Sequence, residues 1–278
     1  MVSKQQFGTY GVWFSEPAWK PGTAAVAERL GFRTLWIGGS PGGELESVEA
    51  VLNETESVTV ATGIVNIWKT DAVEAAAAFL RIADEHPGRF VLGIGSGHRE
   101  ATPERVRPLS ALRAYLDVLD AEGVPVEARL LAALGDKTLA LAAERSLGAH
   151  PYLTNPAHTA HARGILGDAL LAPELKVSLA GDREQARAAA RAYLKRYFGL
   201  ENYVGALKRF GIADAEFDGG GSDALVDLVA ANPTAAAAAA GVAAHVDAGA
   251  DHVSVQPIGR DVLGDLERIA DALGLTQE

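Results

Sequence analysis

Short apolar runs rich in Val, Ile and Leu recur along this chain, and amphipathic stretches separate them. Residues 7–14 read as a first strand ending in Trp13 and Phe14. Pro21 opens a helix through Leu30, which Gly31 closes. Residues 34–37 form a second strand and 58–67 a third. Asp71 caps a helix over 73–83, ahead of Pro87-Gly88. Residues 90–95 are the fourth strand, followed by a helix over 103–121. The scheme then repeats. Strands are expected at 128–134, 150–153, 175–180 and 252–256. Helices are expected at 135–147, 156–166, 182–197, 233–248 and 263–273.

Eight such strands in alternation with helices predict a parallel sheet covered on both faces. A (β/α)8 TIM barrel fits the count and the length, and the chain reads as one domain over residues 1–278. Residues 199–232, which contain Gly219-Gly220-Gly221, are a helical insertion after strand 7 and a candidate lid. The competing fold is an open doubly wound sheet with Gly93-x-Gly95-x-Gly97 as a nucleotide loop. That triple lacks the spacing of a dinucleotide fingerprint, and residues 98–103 delay the helix. The barrel is preferred.

Composition narrows the chemistry. The formal net charge is −11 and Lys and Arg form no basic run, which argues against nucleic acid as a partner. Cysteine is absent, so disulfides, thiolate metal sites and a cysteine nucleophile are excluded. No apolar run reaches the length of a membrane span, no signal-peptide core opens the chain, and the cytoplasm is the expected location.

In a barrel of this kind the working groups lie at the carboxyl ends of the strands. Those ends hold glycines, aromatics and backbone polar groups but few carboxylates. There is no metal-ligand spacing, no paired glycosidase acids and no Gly-x-Ser-x-Gly elbow. Small residues and tryptophans without an acid, base or nucleophile suit a flat ring cofactor that carries the reactivity itself.

Four stretches carry a family likeness: Thr62-Gly63-Ile64-Val65-Asn66, the run from Pro87 to His98, Ala132 to Lys137, and Gly148-Ala149-His150-Pro151-Tyr152. Together they resemble the luciferase-like monooxygenase superfamily, and within it the coenzyme F420-dependent oxidoreductases. The resemblance implies hydride transfer between F420 and a small organic substrate. The alternatives are an FMN-dependent monooxygenase, or a barrel that binds cofactor without turnover. It also implies a homodimer.

The same resemblance assigns positions. A non-proline cis peptide at Gly63-Ile64 would back the central ring, and Asn66 would meet its polar edge. Gly95, Ser96 and Gly97 would line the pocket. Ala133, Leu134 and Gly135 would pass the cofactor side chain, with Asp136 and Lys137 opening the next helix toward a phosphate. His150, Pro151 and Tyr152 would continue the cleft. His98 falls where relatives hold a polar residue near the substrate, and its imidazole suits proton transfer. Trp13, Gly39, Ser40 and Trp68 complete the substrate side. Relatives carry an Asp-His pair after the second strand, where this chain has Gly38-Gly39-Ser40, so that pair's proton-transfer role does not transfer. His86 and His252 read as structural, Trp36 as core, and the cations of the 182–197 helix as a solvated face. His158 and His161, in the first turns of their helix, also read as structural, with contact to the cofactor tail as the alternative.

Overall fold

The structure is a computed structural model and describes residues 3–98 and 107–276. In chain order it comprises α1 (Lys4–Phe7), β1 (Tyr10–Ser15), α2 (Thr23–Arg29), β2 (Thr34–Gly38), α3 (Glu46–Asn53), β3 (Thr59–Gly63), β4 (Val65–Asn66), α4 (Ala72–Glu85) and β5 (Phe90–Gly95). Next come α5 (Pro108–Ala121), β6 (Arg129–Leu131), α6 (Asp136–Arg145), β7 (Gly148–Ala149), α7 (Pro156–Leu166), β8 (Leu170–Leu171) and β9 (Glu174–Val177). The chain continues through α8 (Arg183–Leu194), α9 (Glu201–Arg209), α10 (Asp223–Val229), β10 (Ala230–Ala231), α11 (Ala235–Asp247), β11 (Val253–Pro257) and α12 (Val262–Ala272).

All strand pairs are parallel, and from β1 to β8 neighbours follow sequence order. A doubly wound sheet needs a reversal of that order, and none occurs. Residues 170–177 close the ring. On one side they donate to the sixth strand, Ala172 N to Ala149 O at 2.9 Å and Glu174 N to Pro151 O at 3.0 Å. On the other, Ser254 N donates to Pro173 O at 3.1 Å, and β9 runs beside β11. The expected (β/α)8 barrel is the observed one.

Alternation along the strands divides the core. One set of side chains, including Val12, Leu35, Val60 and Leu92, packs outward under the helices. The other set, Phe7, Trp13, Trp36, Ala61, Val91 and Leu130, fills the lumen. Helix starts are pinned by side chains: Asp71 accepts from Val73 N at 2.9 Å and Asn155 from His158 N at 2.9 Å. Such a cap contributes about 1 kcal/mol.

Several boundaries differ from the sequence reading. The first strand starts at Tyr10, because Ser3 and Gln6 form a capping box and turn residues 4–7 into a helix that plugs the lumen with Phe7. Helix α3 lies between the second and third strands, where the sequence reading placed no element. The sixth strand is Gly148–Ala149 rather than 150–153, although His150 N still donates to Leu131 O at 2.9 Å. The seventh begins at Leu170 and is interrupted at Pro173, which has no N–H to give the ladder. The fifth is shorter than expected. The start of the 103–121 helix lies outside the described residues, and α5 is seen from Pro108.

The insertion holds α9, a tight 3₁₀ stretch (Asp214–Gly220), α10 and β10. Tyr203, Leu207, Leu225, Val226 and Val229 share an apolar cluster with Leu194 of α8. Contrary to expectation, part of the cationic face of α8 is not simply solvated. Arg187 reaches Asp223 and Asp227 at 2.5 Å, and Arg191 donates to Gly221 O at 2.9 Å and pairs with Asp223. No helix among the described residues is long and apolar enough to cross a membrane.

Candidate active site at the barrel mouth

At the carboxyl end of the third strand the β3 ladder stops at Gly63, the Gly63–Ile64 peptide is cis, and pairing resumes with β4 against β5. Beside this break the next strand has only glycines to offer. A Cβ on Gly95 would come within 3.0 Å of Ile64 Cγ1 and 2.9 Å of Ala132 Cβ. One on Gly97, whose φ is +56°, would meet Asn66 Nδ2 at 2.6 Å. Gly63, Ile64, Ser96, Gly97 and His98 remain half-exposed above these contacts. The result is a strip bare of side chains across two strand ends.

Asn66 is buried and locks the turn, its Oδ1 accepting from Trp68 N at 3.0 Å. Trp68 in turn donates from Nε1 to Ser96 O at 3.0 Å, tying the two strand ends together. The strip runs on past Ala132 to Ala133, Leu134 and Gly135. Gly135 precedes α6, whose first residues, Asp136 and Lys137, are exposed. Asp136 already bonds His161 Nε2 at 3.0 Å and lies 3.8 Å from Arg209, and these partners hold its carboxyl below the usual range.

His150 and Pro151 do not line an open cleft. His150 is buried in the lumen, stacked on Trp36 with centroids 4.0 Å apart, and Nδ1 lies 2.7 Å from Ala172 O. Burial lowers its pKa to about 3, so the ring is neutral with the proton on Nδ1. Nor is Trp13 an outer wall. It crosses the lumen under Gly38 and Gly63, and a Cβ on Gly63 would be 2.6 Å from its Nε1 and 3.2 Å from His150 Nε2. Neither nitrogen has a hydrogen-bond partner. Gly39 is exposed and Ser40 half-exposed, both at positive φ, beyond β2 and near Ser15.

Tyr152 leaves the lumen and becomes the hub of a hydroxyl cluster. Its Oη lies 2.9 Å from Gln256 Oε1, 3.1 Å from Tyr197 and 3.3 Å from Tyr193, while Gln256 Nε2 donates to Tyr193 at 2.6 Å. Burial pushes the Tyr152 phenol well above its ordinary value, so it stays protonated. Under its ring, 3.7 Å from the centroid, sits Lys176 Nζ, which donates to Glu174 Oε2 at 2.7 Å. This pair is fully buried at the carboxyl end of the seventh strand. Burial drives both groups toward their neutral forms, and each partner opposes that shift in the other.

Sequence reasoning missed Glu174 and Lys176. The signal was an alternating Glu-Leu-Lys-Val, which puts two charges inward on a barrel strand. It also missed Thr154, between the sixth strand and α7. Thr154 Oγ1 and His158 Nδ1 are buried without partners in a tight cleft against Ala206, Leu207 and Phe210 of the insertion. His158 Nε2 lies 3.0 Å from Leu134 O, so this cleft adjoins the end of the glycine strip. Among the described residues, no group of three His, Asp or Glu side chains could hold a metal ion.

His98 closes the site from above. Its Nδ1 lies 3.0 Å from Asn202 Oδ1 and its Nε2 3.4 Å from Tyr203 Oη, both on α9. His252 and Trp36 belong to the barrel floor, as expected.

Comparison with known proteins follows this geometry. The chain resembles an F420-dependent secondary alcohol dehydrogenase solved with an F420–acetone adduct (TM-score 0.74, 14% identity, 98% of this chain and 99% of the other covered). It resembles the coenzyme F420-dependent tetrahydromethanopterin reductase of Methanopyrus kandleri (TM-score 0.71, 19% identity, 96% and 98%). It also resembles the FMN-bound oxygenating constituent of 3,6-diketocamphane monooxygenase from Pseudomonas putida (TM-score 0.72, 14% identity, 98% and 99%). No curated protein matches the chain at a significant level. Residues 20–122, spanning β2 to β5 and the glycine strip, match the profile of the luciferase-like monooxygenases. The chain has the luciferase-like barrel fold and carries that family's sequence signature from residue 20 to residue 122.

Proposed function

We propose that this protein is an F420-dependent oxidoreductase that transfers a hydride between the deazaflavin and a small organic substrate. The observation that carries the reading is the bare strip of Gly63, Gly95 and Gly97 beside Ile64, where a Cβ at 95 would collide with Ile64 and Ala132 and one at 97 with Asn66, so that only glycine leaves these residues in place as the seat of a planar ring. When bound, the deazaflavin supplies the hydride-accepting or hydride-donating carbon.

The chain's own residues do the rest. Ile64 and the glycines offer an apolar seat, and Asn66 and Trp68 hold the two strand ends in register. The start of α6, where Gly135 supplies no side-chain cap and Lys137 stands exposed, suits the phosphate of an anionic side chain passing along Ala133, Leu134 and Gly135. His98, at the edge of the strip, is the group positioned to exchange a proton with substrate. The insertion excludes water above it.

The test is binding followed by turnover. Purified protein is titrated with F420 and with FMN, read by quenching of cofactor fluorescence, then assayed with panels of secondary alcohols, ketones, enones and imines. Tighter F420 binding with cofactor bleaching or recovery is the expected result. Preference for FMN with oxygen uptake would replace the reading by a monooxygenase. Binding without turnover on any panel would leave a cofactor-binding barrel.

A further inference from the structure

We infer that Asn202 and Tyr203, carried into the site by the insertion, fix the tautomer and orientation of His98, so that Nε2 is its proton-accepting atom. This rests on the proposed role of His98 and adds two positioning residues to it.

The argument is one of donors and acceptors. An amide oxygen only accepts, so Asn202 Oδ1 at 3.0 Å requires the proton on His98 Nδ1. In the neutral ring Nε2 then carries no proton, and the Tyr203 hydroxyl faces it at 3.4 Å. Burial raises the Tyr203 phenol well above its ordinary value, so this hydroxyl stays protonated and donates. The Tyr203 ring also packs against the imidazole, with centroids 4.9 Å apart, limiting rotation about the last side-chain bond. Both residues sit in the first turn of α9, anchored by the cluster it shares with α8 and α10. Nε2 has one lone pair, so a substrate hydroxyl must displace the 3.4 Å Tyr203 contact to reach it; when Nε2 then takes the substrate's proton, the imidazolium keeps its bond to Asn202 through Nδ1–H. When it returns that proton, the same tautomer is restored.

The test reads the ring directly and needs no cofactor. Long-range 15N–1H correlation spectra of the protein with labelled histidine report which nitrogen of His98 is protonated, with His98→Gln identifying the resonance. The wild type is expected to show the Nδ1–H form. Asn202→Leu should give a mixture or the Nε2–H form, and Asn202→Asp, which keeps an acceptor, should retain Nδ1–H. Tyr203→Phe should leave the tautomer and move the Nε2 shift. An Nε2–H ring in the wild type, or an unchanged tautomer in Asn202→Leu, overturns the inference. With F420 and a substrate, Asn202→Leu should lower kcat about tenfold or more with KM little changed. Correct spectra in a protein that fails to turn over F420 would sink the functional reading and leave the positioning intact.

Discussion

The floor and the mouth of the barrel are equally buried but treat their polar atoms differently. At the floor, Trp36 Nε1 donates to His252 Nε2 at 3.0 Å, His252 Nδ1 donates to Gly8 O at 2.7 Å, and Thr34 donates to Phe7 O at 2.7 Å. At and just below the mouth, Trp13 Nε1, His150 Nε2 and Glu174 Oε1 are buried with no partner. Native interiors rarely leave such groups unmet. The floor uses its hydrogen bonds to fix one packing of aromatic rings, whereas the mouth keeps bonding capacity and glycine-made space in reserve. One end is built for rigidity, and the other accepts strain and cost where a ligand would be received.

The largest expected break in that contrast is Lys176→Met. It leaves the Glu174 carboxyl buried without its cation, and removing one partner of a buried pair costs about 3–5 kcal/mol. The loss should fall near the lower end, because Glu174 is already driven toward its neutral form and can take up a proton. Urea unfolding of Lys176→Met and of the Lys176→Met/Glu174→Leu double variant measures this. The double variant should recover most of the loss, and a double variant as unstable as the single would show that the pair does more than neutralise itself.

Acid separates the two ends more gently. His150 is pushed down to about 3, and His252 and His245 to about 4, all chiefly by burial. Their unfolded pKa is about 6.5, so below that value the unfolded chain binds protons that the folded chain refuses. Stability is therefore intact above pH 6.5 and falls as pH drops toward 4, each histidine adding up to about 1.4 kcal/mol per pH unit. Denaturation midpoints at stepped pH check the slope, and His252→Gln should flatten it. A flat profile between pH 6.5 and 5 would contradict neutral burial.

The sharpest effect on function is expected of Gly63→Ala. Its methyl group would press on Trp13 Nε1 and His150 Nε2 under the strip. Cofactor affinity should fall about tenfold, equivalent to about 1.4 kcal/mol, beside an overpacking loss of about 1–3 kcal/mol in stability. Lost stability with unchanged affinity would mean that Gly63 serves packing alone.

How far the sequence revealed this molecule depended on how local the cause was. Residues 90–95 and 156–166 were bounded correctly, because an apolar run ending in spaced glycines and an Asn-Pro helix start declare themselves within a few residues. The glycine strip was legible for the same reason. Glu174 and Lys176 were not, since a charge reads as solvent-facing until the strand beneath it is known to curve inward. The partners of His98 lie 104 and 105 residues away in a segment with weak periodicity, and no local signal connects them. Phe7 was read as the start of the 7–14 strand because the capping box of Ser3 and Gln6, only four residues long, went unrecognised.

Strand β10 gives the insertion an unusual root. Ala230 and Ala231 pair with Lys176 and Val177 of β9, on the edge that the sixth strand no longer covers past Glu174. The cover over the mouth is thus hemmed into the wall by β10 and tied to α8 through the aspartates of α10, both at its trailing end. A protease nick among Gly219, Gly220 and Gly221 would divide the chain yet leave both pieces stitched to the same ring. Whatever swings open here must lie ahead of Asp223, since neither seam starts before it.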